Sequence, residues 1–346
     1  MSTIDWAGSR LDIEKAATTT PPPLQYVVGG LPEQAGTYGL ILGSDGARKS
    51  WLALHLALAC AAGQPVAPGP DGTTLWPARA GGRAVCITSE DGLQEMHRRV
   101  HAIANTPGYE HIQDLQDRLD IHSVCGSDAE LALITQSPPP ESEMAFTRAW
   151  RHSRIVGDII EHTRGARLVV LDVWSDWAGG DENAAEPGRV GVSALRRISR
   201  ETGAGLLVTH HLNKAGMLGG DTRAQAGRGW SGFMSGSRWT VTVTPGTAMP
   251  MAWLEERGVA DPGHWSFLSE GKTSYDPPDA TQSALYHYPP ADGHGAAALA
   301  RAVPAPGDDG RTALPSQIVV LSDTKKAGEA ADGFQKIDEE KGWWTS

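Results

Sequence analysis

Apolar residues along this chain fall into short unbroken runs separated by helical stretches. YGLILG at 38–43 is closed by glycine, and KSWLALHLALACAAG at 49–63 is an Ala/Leu-rich helix ended by Gly63, so the two read as strand, loop, helix. RAVCITSE at 83–90, RLVVLDV at 167–173 and GLLVTHH at 205–211 have the pattern of buried strands, with LDIHSVCG at 119–126 as a further candidate. Helices are predicted over 91–104, about 143–164 and 188–203, and a surface loop over 127–142, which contains SPPPES. This alternation predicts an α/β fold, with a mostly parallel central sheet and helices on both faces. RWTVTVTP at 238–245, HWSFLSEG at 264–271 and ALYHY at 284–288 follow without long helices between them, so the sheet is expected to finish with antiparallel C-terminal strands.

Punctuation divides the chain into three parts. Residues 1–23 end in ATTTPPP and read as an irregular N-terminal arm. Residues 24–288 form one large domain. Residues 289–346 begin with a Pro/Gly/Ala/Asp-rich linker and end in a charged, poorly ordered tail, in which PSQIVVLSD at 315–323 could add one edge strand.

Composition narrows the class. No apolar run approaches the roughly 20 residues of a membrane helix. The N-terminal MSTIDWAGSRLDIEK lacks the basic head and apolar core of a signal peptide, so a cytoplasmic protein without membrane contact is expected. Cys60, Cys86 and Cys125 show no CxxC spacing and read as core or near-core thiols rather than zinc ligands. The net charge of −11 opposes coating of duplex DNA through a broad basic face. It leaves room for a few cations on central loops that grip a single strand.

GSDGARKS at 43–50 stands where a phosphate-binding loop must, between strand and helix. Gly43, Ser44, Asp45, Gly46, Ala47, Arg48, Lys49 and Ser50 are the candidate ATP-binding residues, with Lys49 near the β- and γ-oxygens and Ser50 on Mg²⁺. Arg48 occupies the position where GxxxxGK[ST] has glycine. If the backbone there is left-handed, arginine costs about 1–2 kcal/mol. Arg48→Gly is then expected to raise hydrolysis, unless the guanidinium is recruited to the phosphates or paired with Asp45. Asp172 closes an apolar strand as a magnesium-holding Walker B acid does. Glu90 ends another, where a carboxylate can orient the attacking water or simply start the next helix. His210 and His211 end GLLVTHH, either as sensors of the γ-phosphate or as histidines satisfied at a turn. The glycine-rich stretch behind them offers Lys214, Arg223 and Arg228 to a nucleic-acid backbone. Trp230 and Phe233 could stack on bases, although their helical spacing suits core packing equally.

Taken in order, PPPLQYV, GTYGLILGSDGARKSWLALHLAL, ITSEDGLQEMHRRVHAI, LVVLDV, DENAA, LLVTHHLNKAG, GRGWSG, SRW and EGKTSY resemble the RepA-type hexameric helicases of plasmid replication, within the RecA-like P-loop ATPases. The resemblance spans about residues 21–276. It implies a RecA-like P-loop NTPase fold, ATP and Mg²⁺ as cofactors, a homo-oligomeric ring of six, single-stranded DNA as partner and replication proteins nearby. It also implies that Glu90 is the catalytic carboxylate, that Arg99 lies near the nucleotide, that His210 and His211 are the sensor pair, that Arg228 is the RGxS arginine, and that Lys272 reaches a neighbouring subunit's nucleotide. Two other readings remain. One is a slow or regulatory P-loop ATPase that works as a replication-associated binding protein; the other, a small-molecule kinase, gives the HHLNKAG loop no role.

Overall fold

The computed structural model describes residues 5–69, 72–105, 109, 111–127, 130–137, 149–181, 183–212, 231–259, 261–274, 283–287 and 298–300. Among the described residues β1 (Tyr26–Val28) and β2 (Leu31–Pro32) form a small antiparallel pair, and the phosphate-loop strand β3 (Tyr38–Gly43) lies inside a nine-stranded sheet. On one side of it run β9 (Gly205–His211), β8 (Leu168–Asp172), β4 (Ala84–Thr88) and β5 (Leu119–Ser123), and on the other β10 (Trp239–Pro245), all parallel to their neighbours. β11 (Trp265–Thr273), β12 (Ser283–His287) and β13 (Ala298–Ala300) continue from β10 with antiparallel pairing. The architecture inferred from the sequence is therefore present: mostly parallel centre, helices on both faces, antiparallel C-terminal edge.

Both faces are covered, and the central strands β3, β4, β8 and β9 are accordingly buried at nearly every position rather than alternately. On one face α2 (Lys49–Ala62) and α3 (Leu93–Ala104) pack Leu52, Leu56 and Ile103 against Ile41, Cys86 and Val170. The Ala/Leu composition of α2 lets it be buried nearly all round. The other face carries α4 (Arg154–His162), α5 (Trp174–Ala178), α6 (Ala185–Thr202) and α7 (Ser231–Gly236), which pack Ile160, Trp177, Leu195 and Phe233 onto Leu40, Leu171 and Val208. A smaller cluster joins α8 (Met251–Glu256) to β11 through Trp253, Leu254 and Phe267.

Several local expectations need correction. The arm contains a short helix, α1 (Ile13–Thr18), whose N-terminus is capped by Asp12 and which buries nothing. Within the stretch read as a loop and long helix, β6 (Ile134–Gln136) pairs with β7 (Trp150–His152), so the helix starts only at Arg154. β13 lies in the segment assigned to the linker, where it extends the sheet edge along β12. Cys60 and Cys86 are buried, but Cys125 is exposed. Residues 315–323 and the tail lie outside the described residues. Among the described residues no helix is long and apolar enough to cross a membrane.

Candidate functional site

β3 delivers Gly43 to the C-terminal edge of the sheet, and the loop turns there into the N-terminus of α2. A Cβ at Gly43 would stand 2.8 Å from Val243 O and 3.1 Å from Lys49 Cγ, so only glycine lets the loop approach both. Gly46 is left-handed (φ +69°), and so is Arg48, at φ 73° and ψ 32°. The strained position anticipated from the sequence exists. Lys49 is 6% exposed, and its ammonium donates to Gly43 O (3.2 Å) and Ser44 O (3.0 Å). Burial lowers its pKa, while Glu90, Asp172 and Asp45 oppose that shift by favouring the charged form.

Asp172 is buried at the end of β8 between two hydroxyls. Thr209 on β9 donates to its Oδ1, and Thr88 on β4 donates to Oδ2 at 3.5 Å. Thr88 and Asp172 are register partners on neighbouring strands, so their side chains share a face, the one covered by α2. Ser89 closes the arrangement from the backbone side: its hydroxyl donates to Asp172 O (3.0 Å) and accepts from Val173 N (3.2 Å). The first two bonds hold the carboxylate and the other two hold the backbone beside it, within electrostatic reach of Lys49.

His210 and His211 part company, because successive strand residues point to opposite faces. His211 turns to the loop side, where Nδ1 lies 2.7 Å from Asp45 Oδ1 and 3.4 Å from Lys49 Nζ, and Nε2 lies 3.8 Å from Glu90 Oε1. It thus bridges the phosphate loop and the carboxylate at the end of β4. His210 is buried on the far face, edge-on to Phe233 at 5.4 Å. Phe233 itself stacks on Trp174 at 4.4 Å and on Tyr38 at 5.7 Å, and so is core packing rather than a face for bases.

Glu90 is roughly half exposed, and its carboxyl is pushed above the ordinary range by burial first and by Asp172 second, with Lys49 opposing. The next residue, Asp91, forms an ion pair with Arg99 at 2.8 Å, and Arg99 also holds Glu95 and lies over the Trp51 ring at 5.6 Å. Arg99 therefore braces the start of α3 against α2.

A model of the AAA domain family matches residues 8–217, more than half of the chain and including Lys49, Glu90, Asp172, His210 and His211. The chain belongs to that family. The RadB recombinase, a solved structure, is similar at a TM-score of 0.43 and 12% identity, over 76% of this chain and 90% of that one, too distant a likeness to bear on function. The chain is an AAA-type domain whose phosphate loop stands between β3 and α2.

Neither alternative raised for the Arg48 guanidinium is what the structure shows. It reaches neither the phosphate cradle nor Asp45, which is held by His211. Instead Nη1 donates to Trp265 O (3.3 Å) and Ser266 Oγ (3.2 Å), and Nη2 to Gly263 O (2.5 Å). Ser266 in turn donates to Ala47 O at 3.4 Å, so β11 grips the loop from outside. Lys272 lies at the other end of β11, beside Thr240, where its ammonium donates to Ser235 O at 2.6 Å. β10 and β3 run parallel with Thr240 beside Leu40, so Lys272 is remote from its own chain's loop. Lys214, Arg223, Arg228 and Trp230 lie outside the described residues.

The donor set fits a nucleotide with magnesium. One buried ammonium faces three carboxylates, an excess of negative charge that a divalent cation would balance, and the groups near it are hard oxygen donors. Ser50 in the first turn of α2 and Asp172 would hold the ion. Thr88, Ser89 and Thr209, which orient Asp172, escaped the sequence reading. The signal was present, since Thr209 stands two residues before His211 and must share its face.

Proposed function

We propose that this domain binds and hydrolyses ATP at residues 43–50, and that turnover drives movement along single-stranded DNA in the replication of a plasmid or mobile element. The observation that carries the first half is the meeting of Lys49, Asp45, Glu90, Asp172 and His211 at one strand-to-helix loop. The bound nucleotide and Mg²⁺ supply the γ-phosphoryl group and the charge that neutralises it. Lys49 holds phosphate oxygens with protons it now gives to the Gly43 and Ser44 carbonyls. Glu90 orients water and takes its proton, and its raised pKa makes it a stronger base than an ordinary surface carboxylate. His211 lies between Asp45 and Glu90 and so can pass the state of the loop to the segment that begins at Leu212.

The second half is supported by the motif resemblance and by the position of Lys272, which leaves it facing away from its own phosphate loop. In a ring, probed by light scattering with an ATP analogue and single-stranded DNA, Lys272 would serve a neighbour's nucleotide. Six subunits are expected under those conditions. Monomer alone at micromolar protein would overturn the ring and, with it, the role of Lys272. Equal nucleotide affinity in Lys49→Ala, measured by calorimetry, would overturn the ATP site.

A further inference from the structure

On the helical face opposite α2, α6 and α7 enclose an open cavity of about 480 Å³. Arg189, Ser193, Arg196 and Arg200 line it from α6, and Gly232, Ser235 and Gly236 from α7. The four α6 positions follow one another by four, three and four residues, so they form a single exposed stripe. Arg189 Nε donates to Ala185 O, which fixes the first guanidinium on its own helix. Arg196 lies against Gly236, where a Cβ would stand in ordinary contact, 3.6 Å, from its Nη2, so the guanidinium borders α7 directly. Behind α7, Lys272 donates to Ser235 O, and its pKa is lowered by burial first and by Arg238 second. Among the described residues, none of Arg189, Arg196, Arg200, Arg238 or Lys272 has a carboxylate within ion-pair distance. In a chain of net charge −11, five such cations around one short helix are a local reversal of sign.

We propose that this cavity is a phosphate-chain site, in which Arg189, Arg196 and Arg200 bind successive phosphates of a single nucleic-acid strand. Guanidinium forks suit phosphate oxygens, and a stripe about three turns long matches a repeating polyanion better than one isolated phosphate. The small residues of α7 leave the wall open to a backbone without requiring a particular base, as sequence-tolerant strand binding demands. The cavity is separate from the phosphate loop, which lies at the C-terminal edge of the sheet under α2. The choice of a strand, rather than free polyphosphate, rests on the DNA reading above. The phosphate chemistry does not.

The test is an Arg189→Gln, Arg196→Gln, Arg200→Gln triple variant of the full chain, compared with the parent protein. Fluorescence anisotropy reads binding of labelled oligo-dT across a salt series, and calorimetry reads ATP at the phosphate loop, as a control on folding, and inorganic triphosphate added after that loop is saturated with an ATP analogue. The variant is expected to keep ATP affinity, to lose at least about tenfold in oligo-dT affinity, and to show a salt slope shallower by about 2, since single strands give about −0.7 per phosphate contact. Loss of triphosphate binding with oligo-dT binding intact would keep the phosphate site but overturn the strand as its ligand. If the parent binds oligo-dT and the variant binds it with the same affinity and slope, and triphosphate binding is also unchanged, the site is refuted while the DNA reading stands. If the parent binds triphosphate here and no oligo-dT, it is the DNA reading that falls.

Discussion

Arg48→Gly separates backbone strain from side-chain anchorage at one position. Arginine at φ 73° carries about 1–2 kcal/mol of strain that glycine would relieve. Against this stand three hydrogen bonds from the guanidinium to Gly263 O, Trp265 O and Ser266 Oγ. The group is half-buried, so each bond is taken at a modest net value of about 1 kcal/mol, about 3 in all. Glycine adds about 0.5–1 kcal/mol by loosening the unfolded chain. The balance is a loss of about 2 kcal/mol, reversing the gain expected from sequence alone. For a domain of this size that corresponds to a melting temperature lower by about 4–8 °C. Arg48→Ala, which keeps the strained backbone and loses the anchor, should fall at least as far. Hydrolysis should not rise in either variant, because the loop has lost its outer support on β11. Thermal melts and steady-state ATPase rates of the three proteins, without ligand and with ATP, decide the matter. An Arg48→Gly protein that melts higher and turns over faster than the parent would refute the anchorage argument.

Other outcomes follow from the same geometry. Glu90→Gln should lower kcat by about 10²–10⁴-fold with ATP affinity retained in calorimetry. Because Glu90 works deprotonated and its pKa is raised, the parent's rate should fall with decreasing pH above the ordinary carboxylate range, near 4.5. His211→Ala breaks the Asp45 link and should cost on the order of tenfold in turnover, about 1.4 kcal/mol, while His210→Ala should act mainly on thermal stability through the Phe233 contact. His287 is pushed down to about 2 by burial, by Arg48 and by two other histidines. The folded state therefore refuses a proton that the unfolded chain takes up below about 6.5, so its contribution to stability is present above that pH and is lost as pH falls. Denaturant titrations should show about 1.4 kcal/mol lost per unit below about 6, and His287→Phe should flatten that slope.

The sheet was legible because its strands are uninterrupted apolar runs: GLLVTHH became β9 over the same seven residues, and LVVLD became β8. The phosphate loop was legible for the same reason, since its chemistry is carried by consecutive residues. What escaped was held by non-local pairing. β6 and β7 are three residues each and gain strand form only from one another, and β13 is an Ala-Leu-Ala segment with no strand propensity to announce it. The Arg48 anchor joins residues more than 210 positions apart, so no local pattern could disclose it. The histidine pair could have been divided from the start, because two neighbours on a strand cannot face one site.

In the proposed function, Lys49, Glu90 and Asp172 form a site that hydrolyses ATP in response to single-stranded DNA. The steady-state ATPase rate, measured with and without oligo-dT for the parent protein beside Lys49→Ala, tests it most directly. The parent should hydrolyse ATP faster when oligo-dT is added, and Lys49→Ala should stay at background in both conditions. Equal rates in the two proteins, or a parent at background with DNA present, would rule out a DNA-stimulated ATP site at Lys49.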